Sequence, residues 1–202
     1  MRTPLFLAAT LVSTFAASVA SAQPLPQKGG VAIALERGFG FTSTHTDIEG
    51  QDDRDVTEFG LLWMNSETAF HRPRAAVDFF LTDGLSLGGS LGFYSWGGDG
   101  ERSGFLLYPR VGYAIGLGHS VTLWPRGGIS YFSEETPGGG ATFTQLAISG
   151  ECQFLLWPTR SWAIMLGPTL DLGVSGEVQT DPGDADFSQR SFGLTFGLLG
   201  AL

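Results

Sequence analysis

The chain has 202 residues and a formal net charge of −9 at pH 7, and Lys28 is the only lysine among its 11 basic residues. This acidic, lysine-poor balance argues against nucleic acid as a partner, because a phosphate backbone is bound by basic surfaces. Cys152 is the single cysteine, which excludes an intramolecular disulfide and leaves stability to burial and hydrogen bonding.

The first 22 residues have the pattern of an export signal. Arg2 precedes an apolar run from Leu5 to Val19, and small residues follow at Ala20 and Ala22 with the spacing of a cleavage site. Cleavage there would remove one arginine and no acidic residue, which makes the formal charge of the mature chain −10. We predict a signal peptide over residues 1–22, a periplasmic lead over 23–30 and a single domain over 31–202.

Apolar residues alternate with small or polar residues along most of the mature chain, and no stretch has a helical period. A period of two predicts β-strands. The first predicted strand covers Val31 to Thr42, where Arg37 falls on the apolar face. This exception predicts either a bulge near Gly38 or a guanidinium that reaches past that face to an interface. Seven further strands are predicted over residues 74–81, 85–94, 105–116, 121–132, 145–154, 162–173 and 191–202.

Two neighbouring strands carry nearly the same motif, a Pro-Arg pair at residues 109–110 and again at 125–126. A three-residue turn at 118–120 keeps opposed residues on one face, so each arginine is predicted to face a glycine of the other strand. The predicted pairs are Arg110 with Gly128 and Arg126 with Gly112. Each proline removes a ladder donor, which predicts a bulge or missing hydrogen bonds at both positions.

The predicted turns alternate between short and long. Short turns lie at residues 82–84, 118–120 and 157–160, and long polar loops at 43–73, 97–104, 133–140 and 175–189. This asymmetry is typical of a transmembrane barrel with short periplasmic turns. We therefore predict an all-β, antiparallel up-and-down barrel of eight strands. Residues 56–64 then belong to the first external loop, where they extend the wall outward or fold over the mouth; a ten-strand barrel is the alternative.

The two faces of the strands indicate which one meets lipid. One face is rich in Phe and Leu, whereas the other carries Gly, Ala, Ser and Thr with isolated charges. Charges inside a narrow barrel persist only when they are paired, so we predict that an ionic network plugs the lumen. Its predicted members are Glu36, Arg74, Asp78, Arg110, Arg126, Glu151 and Asp171. Two aromatic girdles are predicted, Phe41, Phe93, Phe105, Tyr131 and Phe192 at the external end and Tyr113, Phe154, Trp157 and Trp162 at the other.

Over Val31 to Leu202 this architecture resembles the small eight-stranded outer-membrane barrels of the OmpA and OmpX type. The resemblance implies a location in the outer membrane, in contact with its lipid and lipopolysaccharide. It also implies insertion by the barrel-assembly machinery, which in such proteins favours a last strand that ends in an aromatic residue. This chain ends in Leu202 instead, and Phe196 is the nearest aromatic residue of matching parity.

No catalytic, cofactor or metal site is predicted from the sequence. His45 and Asp47 share a face near Asp52, Asp53 and Asp55, but the sequence places no nucleophile beside them. The His119-Ser120 pair lies in a tight turn and is interpreted as turn chemistry. Asp181, Asp184 and Asp186 have a spacing that could hold a divalent cation, yet they lack the EF-hand pattern and are interpreted as a solvated acidic loop.

These observations predict a non-enzymatic outer-membrane barrel with a structural or surface-interaction role and acidic external loops, whose surface ligand the sequence does not name. A narrow pore is the second hypothesis, and a membrane-embedded hydrolase acting on lipid A or peptides is the third. A soluble, secreted, lipocalin-like barrel is the remaining alternative, which requires the Phe and Leu face to line an internal cavity.

Overall fold

The computed structural model describes residues 27–50, 52–61, 69–96, 102–136, 141–180 and 183–202. The predicted signal peptide lies outside these ranges and stays a prediction. Within them no helix is long and apolar enough to cross a membrane. The strands are β1 Val31–Ile48, β2 Arg54–Leu61, β3 Arg74–Phe80, β4 Leu85–Trp96, β5 Arg102–Tyr113, β6 Ile115–Gly116, β7 Val121–Thr136, β8 Ala141–Leu156, β9 Trp162–Thr180 and β10 Gly183–Ala201. A 3-10 helix covers Ala69–His71.

Eight antiparallel wall strands close into a ring. Each wall strand pairs with its neighbour along the chain, and β10 returns to pair with β1 from Ala32↔Ala201 to Ile48↔Phe187. The short β6 continues β5 and pairs with β7. The predicted eight-strand, up-and-down barrel is confirmed. The ten-strand alternative is wrong, because β2 pairs with β1 and with no other strand in the described part of the chain.

The strands β2 and β3 both lie beside β1 on the same side of it, β3 along its first part and β2 along its later part. Residues Val31–Glu36 of β1 pair with β3, and residues Phe39–Thr46 of β1 pair with β2. The described residues between β2 and β3 include the 3-10 helix. Residues 56–61 of the segment predicted over 56–64 therefore belong to a wall extension that runs outward from Leu61, opposite Phe39, to Arg54, opposite Thr46. Residues 62–64 lie outside the described ranges.

The predicted long loops are shorter than expected, because the strands continue through the polar sequence. The strands β9 and β10 pair as far as Thr180 and Gly183, although residues 175–189 were predicted as a loop. The strands β7 and β8 likewise pair as far as Thr136 and Ala141. Both loop predictions are wrong over these residues, since polarity marks exposure to water and does not prevent two strands from pairing.

Arg37 points into the barrel because of a bulge. The register between β1 and β10 shifts between Leu35 and Phe39. Arg37 has a φ of 52°, in the left-handed region of the backbone that residues other than glycine rarely adopt. The consecutive residues Glu36 and Arg37 are both buried as a result. The predicted bulge is confirmed, and the alternative of a guanidinium at an interface is wrong.

The register between the two Pro-Arg strands is the predicted one. Arg110 pairs with Gly128 and Arg126 with Gly112. The ladder loses two residue pairs at Pro109 and two more opposite Pro125, where the break between β5 and β6 falls. The ladder is therefore interrupted at both prolines, as expected because proline has no N–H to donate.

The outer surface of the barrel is apolar and the lumen is polar or small. Side chains on β5 alternate strictly between buried and exposed, and the exposed ones include Leu107 and Val111. Buried Ser, Thr, Ala and charged residues face inward on the same strands. This arrangement suits lipid outside, and the lipocalin-like alternative with an apolar cavity is wrong. Trp157 is also wrong as a girdle member, because it is buried and donates its Nε1–H to Thr122 Oγ1 at 3.1 Å.

The lumen is packed in three layers. We call the end with the three tight turns the inner end and the opposite one the outer end. The inner layer is an apolar cluster around Phe80, Trp124, Leu155 and Met165. The outer layer is a cluster of Phe70, Leu106, Tyr108, Phe132 and Ala147. Along β5 and β7 the buried arginines Arg110 and Arg126 lie between these clusters, so the charged layer has apolar packing on both sides.

Close approach of β5 to β7 requires a glycine at position 128. A Cβ added to Gly128 would lie 2.0 Å from the Pro109 carbonyl oxygen and 2.9 Å from Arg110 Cα. We expect Gly128→Ala to lower the free energy of unfolding in detergent by about 1–3 kcal/mol, the usual cost of overpacking. Gly150→Ala is the matched control, since nothing lies within 4 Å of an added Cβ there. Equal urea midpoints for the two variants would contradict this prediction.

Candidate functional site: the charged layer of the lumen

Seven buried side chains form one line of alternating charge across the lumen. Arg110 donates to Asp78 through Nε at 3.1 Å and through Nη2 at 2.5 Å. The same guanidinium donates to both carboxylate oxygens of Glu36, at 2.7 and 2.8 Å. Glu36 Oε1 also accepts from Arg126 Nη1 at 2.6 Å. Glu36 is therefore shared by two arginines, and each of its oxygens has a charged donor.

The line continues through Arg126 to the opposite wall. Arg126 Nη2 donates to Glu151 Oε2, and Glu151 Oε1 accepts from Arg37 Nη2 at 3.3 Å. Arg37 Nη1 then donates to Asp171 Oδ2 at 2.8 Å. The far carboxylate is completed by the Ser149 hydroxyl, which donates to Asp171 Oδ1 at 2.5 Å.

The strands that carry these groups surround most of the barrel. The line takes Asp78 from β3, Arg110 from β5, Glu36 and Arg37 from β1, Arg126 from β7, Glu151 from β8 and Asp171 from β9. All seven side chains are buried. Hydrogen bonds between charged groups are the strong ones, so this line connects six of the eight wall strands from inside.

The structure brings six of the seven predicted network residues into this line. The exception is Arg74, which is buried but makes no ion pair with a described residue; its Nη2 donates to the Phe70 carbonyl oxygen at 2.8 Å. Sequence reasoning missed Arg37, because strict alternation placed it on the lipid face. Its off-pattern position beside Gly38 was the available signal.

Arg37 also completes the charge balance of the layer. The predicted network had four carboxylates and three arginines, and Arg37 brings the arginines to four. With Arg74 at the outer edge, the layer holds four buried carboxylates and four buried guanidinium groups. A buried layer with no net charge is far less costly in a low-dielectric interior than one with an unpaired ion.

The 3-10 helix lies on top of the charged layer. The Phe70 carbonyl oxygen accepts hydrogen bonds from Arg37 Nη1 and from Arg74 Nη2. The Phe70 ring is fully buried and lies 6.1 Å from the Phe132 ring, centroid to centroid. Sequence reasoning missed this contact, because residues 43–73 were treated as one external loop. An isolated Phe-His within a polar stretch gave no periodic signal.

His71 fixes the helix to the wall strands on the other side. Its Nδ1 lies 2.7 Å from Thr42 Oγ1, and its Nε2 contacts the Ser191 hydroxyl. Glu58 Oε2 lies 3.3 Å from the same ring. His71 lies in this helix, outside the wall strands. Burial lowers the pKa of its imidazole below the ordinary value. Burial therefore favours the neutral form of the ring.

Arg72, next to the helix, is held by β4 and β7. Its guanidinium stacks on the Tyr94 ring at 3.3 Å from the centroid, a cation–π arrangement. The Tyr94 hydroxyl donates to Glu134 Oε2, and Glu134 Oε2 lies 4.0 Å from Arg72 Nη2. The segment from Phe70 to Arg72 is thus bound to six strands, β1, β2, β3, β4, β7 and β10, by hydrogen bonds and ring contacts.

The other candidate residues are not assembled into a site. His45 Nδ1 lies 2.9 Å from Asp55 Oδ1 and its Nε2 lies 4.0 Å from Asp53 Oδ2, so the ring contacts these two carboxylates and is not paired with Asp47. His119 is exposed in the turn before β7. Asp181 lies outside the described residues, which also hold no cluster of three or more His, Cys, Asp or Glu side chains placed to bind a metal ion.

Comparison with known proteins places the architecture. No protein-family model matches the sequence, and no curated protein is similar to it in sequence. The structure is similar to Neisserial surface protein A at a TM-score of 0.54 and 10% identity, over 86% of this chain and 99% of that one. The fold is that of a small outer-membrane β-barrel.

Two further solved structures agree with this fold. The outer membrane protein AlkL, solved in lipid bilayers, is similar at a TM-score of 0.53 and 11% identity, over 91% of this chain and 95% of that one. OprG from Pseudomonas aeruginosa is similar at a TM-score of 0.50 and 10% identity, over 90% and 99%. At these identities the likeness concerns the fold alone, which agrees with the resemblance inferred from the strand pattern.

The shared carboxylate of Glu36 provides a test of the charged layer. Glu36→Gln removes one negative charge and leaves two buried guanidinium groups with weaker partners. We expect a loss of about 3–5 kcal/mol in the free energy of unfolding in detergent, the cost of breaking a buried ion pair from one side. The measurement is the urea midpoint of unfolding, with the folded fraction at each urea concentration read from its gel mobility.

Glu49→Gln is the control for Glu36→Gln. Glu49 follows the same strand, β1, but is exposed, so its charge is solvated in both states. We expect its urea midpoint to equal that of the parent chain. A Glu36→Gln midpoint as high as that of Glu49→Gln would show that the layer contributes no measurable stability.

Proposed function

We propose that this chain is a non-enzymatic outer-membrane protein with a closed lumen, which acts in envelope structure or in surface interactions. This proposal rests on the charged layer, which has no net charge and spans the lumen between the two apolar clusters. The helix at Phe70 is bound onto that layer by Arg37 and Arg74. An ion that crosses the barrel would have to displace these groups and break several buried, charge-assisted hydrogen bonds.

Three observations support the outer membrane as the location. The outer surface carries large exposed apolar side chains over its whole circumference, among them Phe79, Leu87, Leu107, Ile129, Ile148, Leu170 and Leu194. The fold is shared with barrels that are named as outer-membrane proteins. The export signal predicted over residues 1–22 would direct the chain out of the cytoplasm. The partners that follow are lipid, lipopolysaccharide and, during insertion, the barrel-assembly machinery.

A surface role is supported by the strands that continue past the apolar belt. At the outer end, β1 and β2 enclose a turn with acidic residues around it, and β9 and β10 extend as a long ribbon. The described acidic residues of this region include Asp47, Glu49, Asp52, Asp53, Asp55, Glu177, Asp184 and Asp186. A partner that binds here would therefore need a basic or cation-bearing surface, since like charges across an interface are costly.

A closed lumen has a direct electrical consequence. We expect the mature chain, refolded into planar lipid bilayers, to produce no stepwise current under an applied potential. Correct folding would be shown beforehand by a gel mobility that changes on boiling, as expected for a closed, hydrogen-bonded barrel. A porin inserted into the same membrane is the positive control. Reproducible single-channel steps from the heat-modifiable protein would overturn the closed lumen and favour the narrow pore.

The orientation in the membrane can be tested at two glycine turns. Gly50 lies between β1 and β2 at the outer end, and Gly118 lies between β6 and β7 at the inner end. Both have positive φ values and no atom within 4 Å of an added Cβ, so an inserted epitope has room at either turn. We expect antibody to label the Gly50 insertion on intact cells and the Gly118 insertion only after permeabilisation. The reverse pattern would show that the barrel is oriented the other way.

A further inference from the structure

A cavity of about 300 Å³ lies at the outer end of the barrel, above the helix at Phe70. We call it the vestibule. Its floor is Phe132, which is buried and packs against Phe70. Because the apolar cluster and the charged layer lie below this floor, the vestibule is closed toward the inner end.

One side of the vestibule is apolar, although this part of the barrel lies beyond the lipid-facing belt. Phe143 of β8 and Phe187 of β10 line it and meet edge to face, with centroids 5.9 Å apart. Ile48 and Val56 line it as well. Concave apolar surface that opens to water is energetically unfavourable and is typical of ligand pockets. The volume is at the lower end of the range for such pockets, which indicates a small ligand.

Two arginines, Arg54 and Arg102, also line the vestibule. Arg102 lines the cavity, and its side chain is 51% exposed, with Nη1 3.8 Å from Glu134 Oε1. Glu134 is already engaged from below, because the Tyr94 hydroxyl donates to it and Arg72 lies beside it. Arg72 and Arg102 therefore share the Glu134 carboxylate. The guanidinium of Arg102 retains the capacity to bind a second carboxylate in the vestibule.

We propose that the vestibule binds a small amphipathic carboxylate, such as a medium-chain fatty acid. The hydrocarbon part lies against Phe143 and Phe187, and the carboxylate accepts hydrogen bonds from Arg102. Asp52 lines the rim of the same cavity and opposes the negative head group. The closed floor means that the ligand is held at the cell surface and does not pass through the barrel.

Octanoate is a suitable probe, titrated calorimetrically into the full mature chain in lipid nanodiscs with empty nanodiscs as the partition control. We expect saturable binding with one molecule per barrel. Arg102→Gln should weaken binding about tenfold, the loss of one charge-assisted hydrogen-bonded contact. Asp52→Asn should strengthen binding, because it removes a like charge. Phe187→Ala should weaken it through lost apolar contact.

Two control substitutions lie far from the vestibule. Arg160→Gln removes an exposed arginine at the inner end, and Phe192→Ala removes a lipid-facing phenylalanine from β10. Neither should change the affinity for octanoate. All variants are compared only after each shows heat-modifiable mobility, so that loss of folding is separated from loss of binding.

Several outcomes would overturn the proposal. Binding no greater than that to empty nanodiscs would exclude a site for this ligand. Octylamine that binds more tightly than octanoate, with the effects of Arg102→Gln and Asp52→Asn reversed in sign, would show that the head group is a cation. Equal weakening by Phe187→Ala and Phe192→Ala would place the ligand in lipid. None of these results changes the expected absence of channel current, so the vestibule and the closed lumen are tested separately.

Discussion

The alternating line of buried charges is the interaction on which the rest of the lumen depends. It connects six wall strands, and each carboxylate in its middle is shared between two guanidinium groups. Taking its seven ions out of water is costly, and such a line is stable only when every member keeps its partner. The glycine opposite Arg110 leaves space for one guanidinium, and the bulge directs Arg37 into the lumen. The apolar clusters pack on both sides of the layer.

The faces of the barrel could be predicted because two different solvents act on them. Lipid outside and a narrow, water-poor lumen inside impose a strict period of two, which is visible in the residues themselves. The same parity fixed the pairs Arg110↔Gly128 and Gly112↔Arg126, since a slip by one residue would turn every side chain to the wrong face. Six of the seven residues assigned to the network were found in this way. The seventh, Arg74, shares the layer but bonds to backbone.

The features that the sequence did not reveal are those in which this period fails. A bulge near Gly38 was one of two explanations predicted for Arg37, but the sequence did not decide between them and so did not place this guanidinium in the charged line. Besides Arg74, four residues away, the helix at Phe70 depends on partners from β1, β5 and β7 that are distant along the chain. The outer halves of β7 to β10 are polar on one face because water surrounds them, which made their sequences resemble loops. Long-range contacts, and not local preference, decide all three.

The way the charged line crosses the sequence also constrains how the protein folds. Glu36 and Arg126 are 90 positions apart, and Arg37 and Asp171 are 134 apart. Only one link of the line, between Arg126 and Glu151, lies within a single hairpin, β7–β8. A partly assembled wall in lipid would therefore hold most of the other ions without counterparts. Intermediates of this kind are costly, and distant contacts form slowly. Ring closure between β1 and β10 and neutralisation of the interior are therefore one cooperative event, with few stable states between an unfolded chain and a finished barrel.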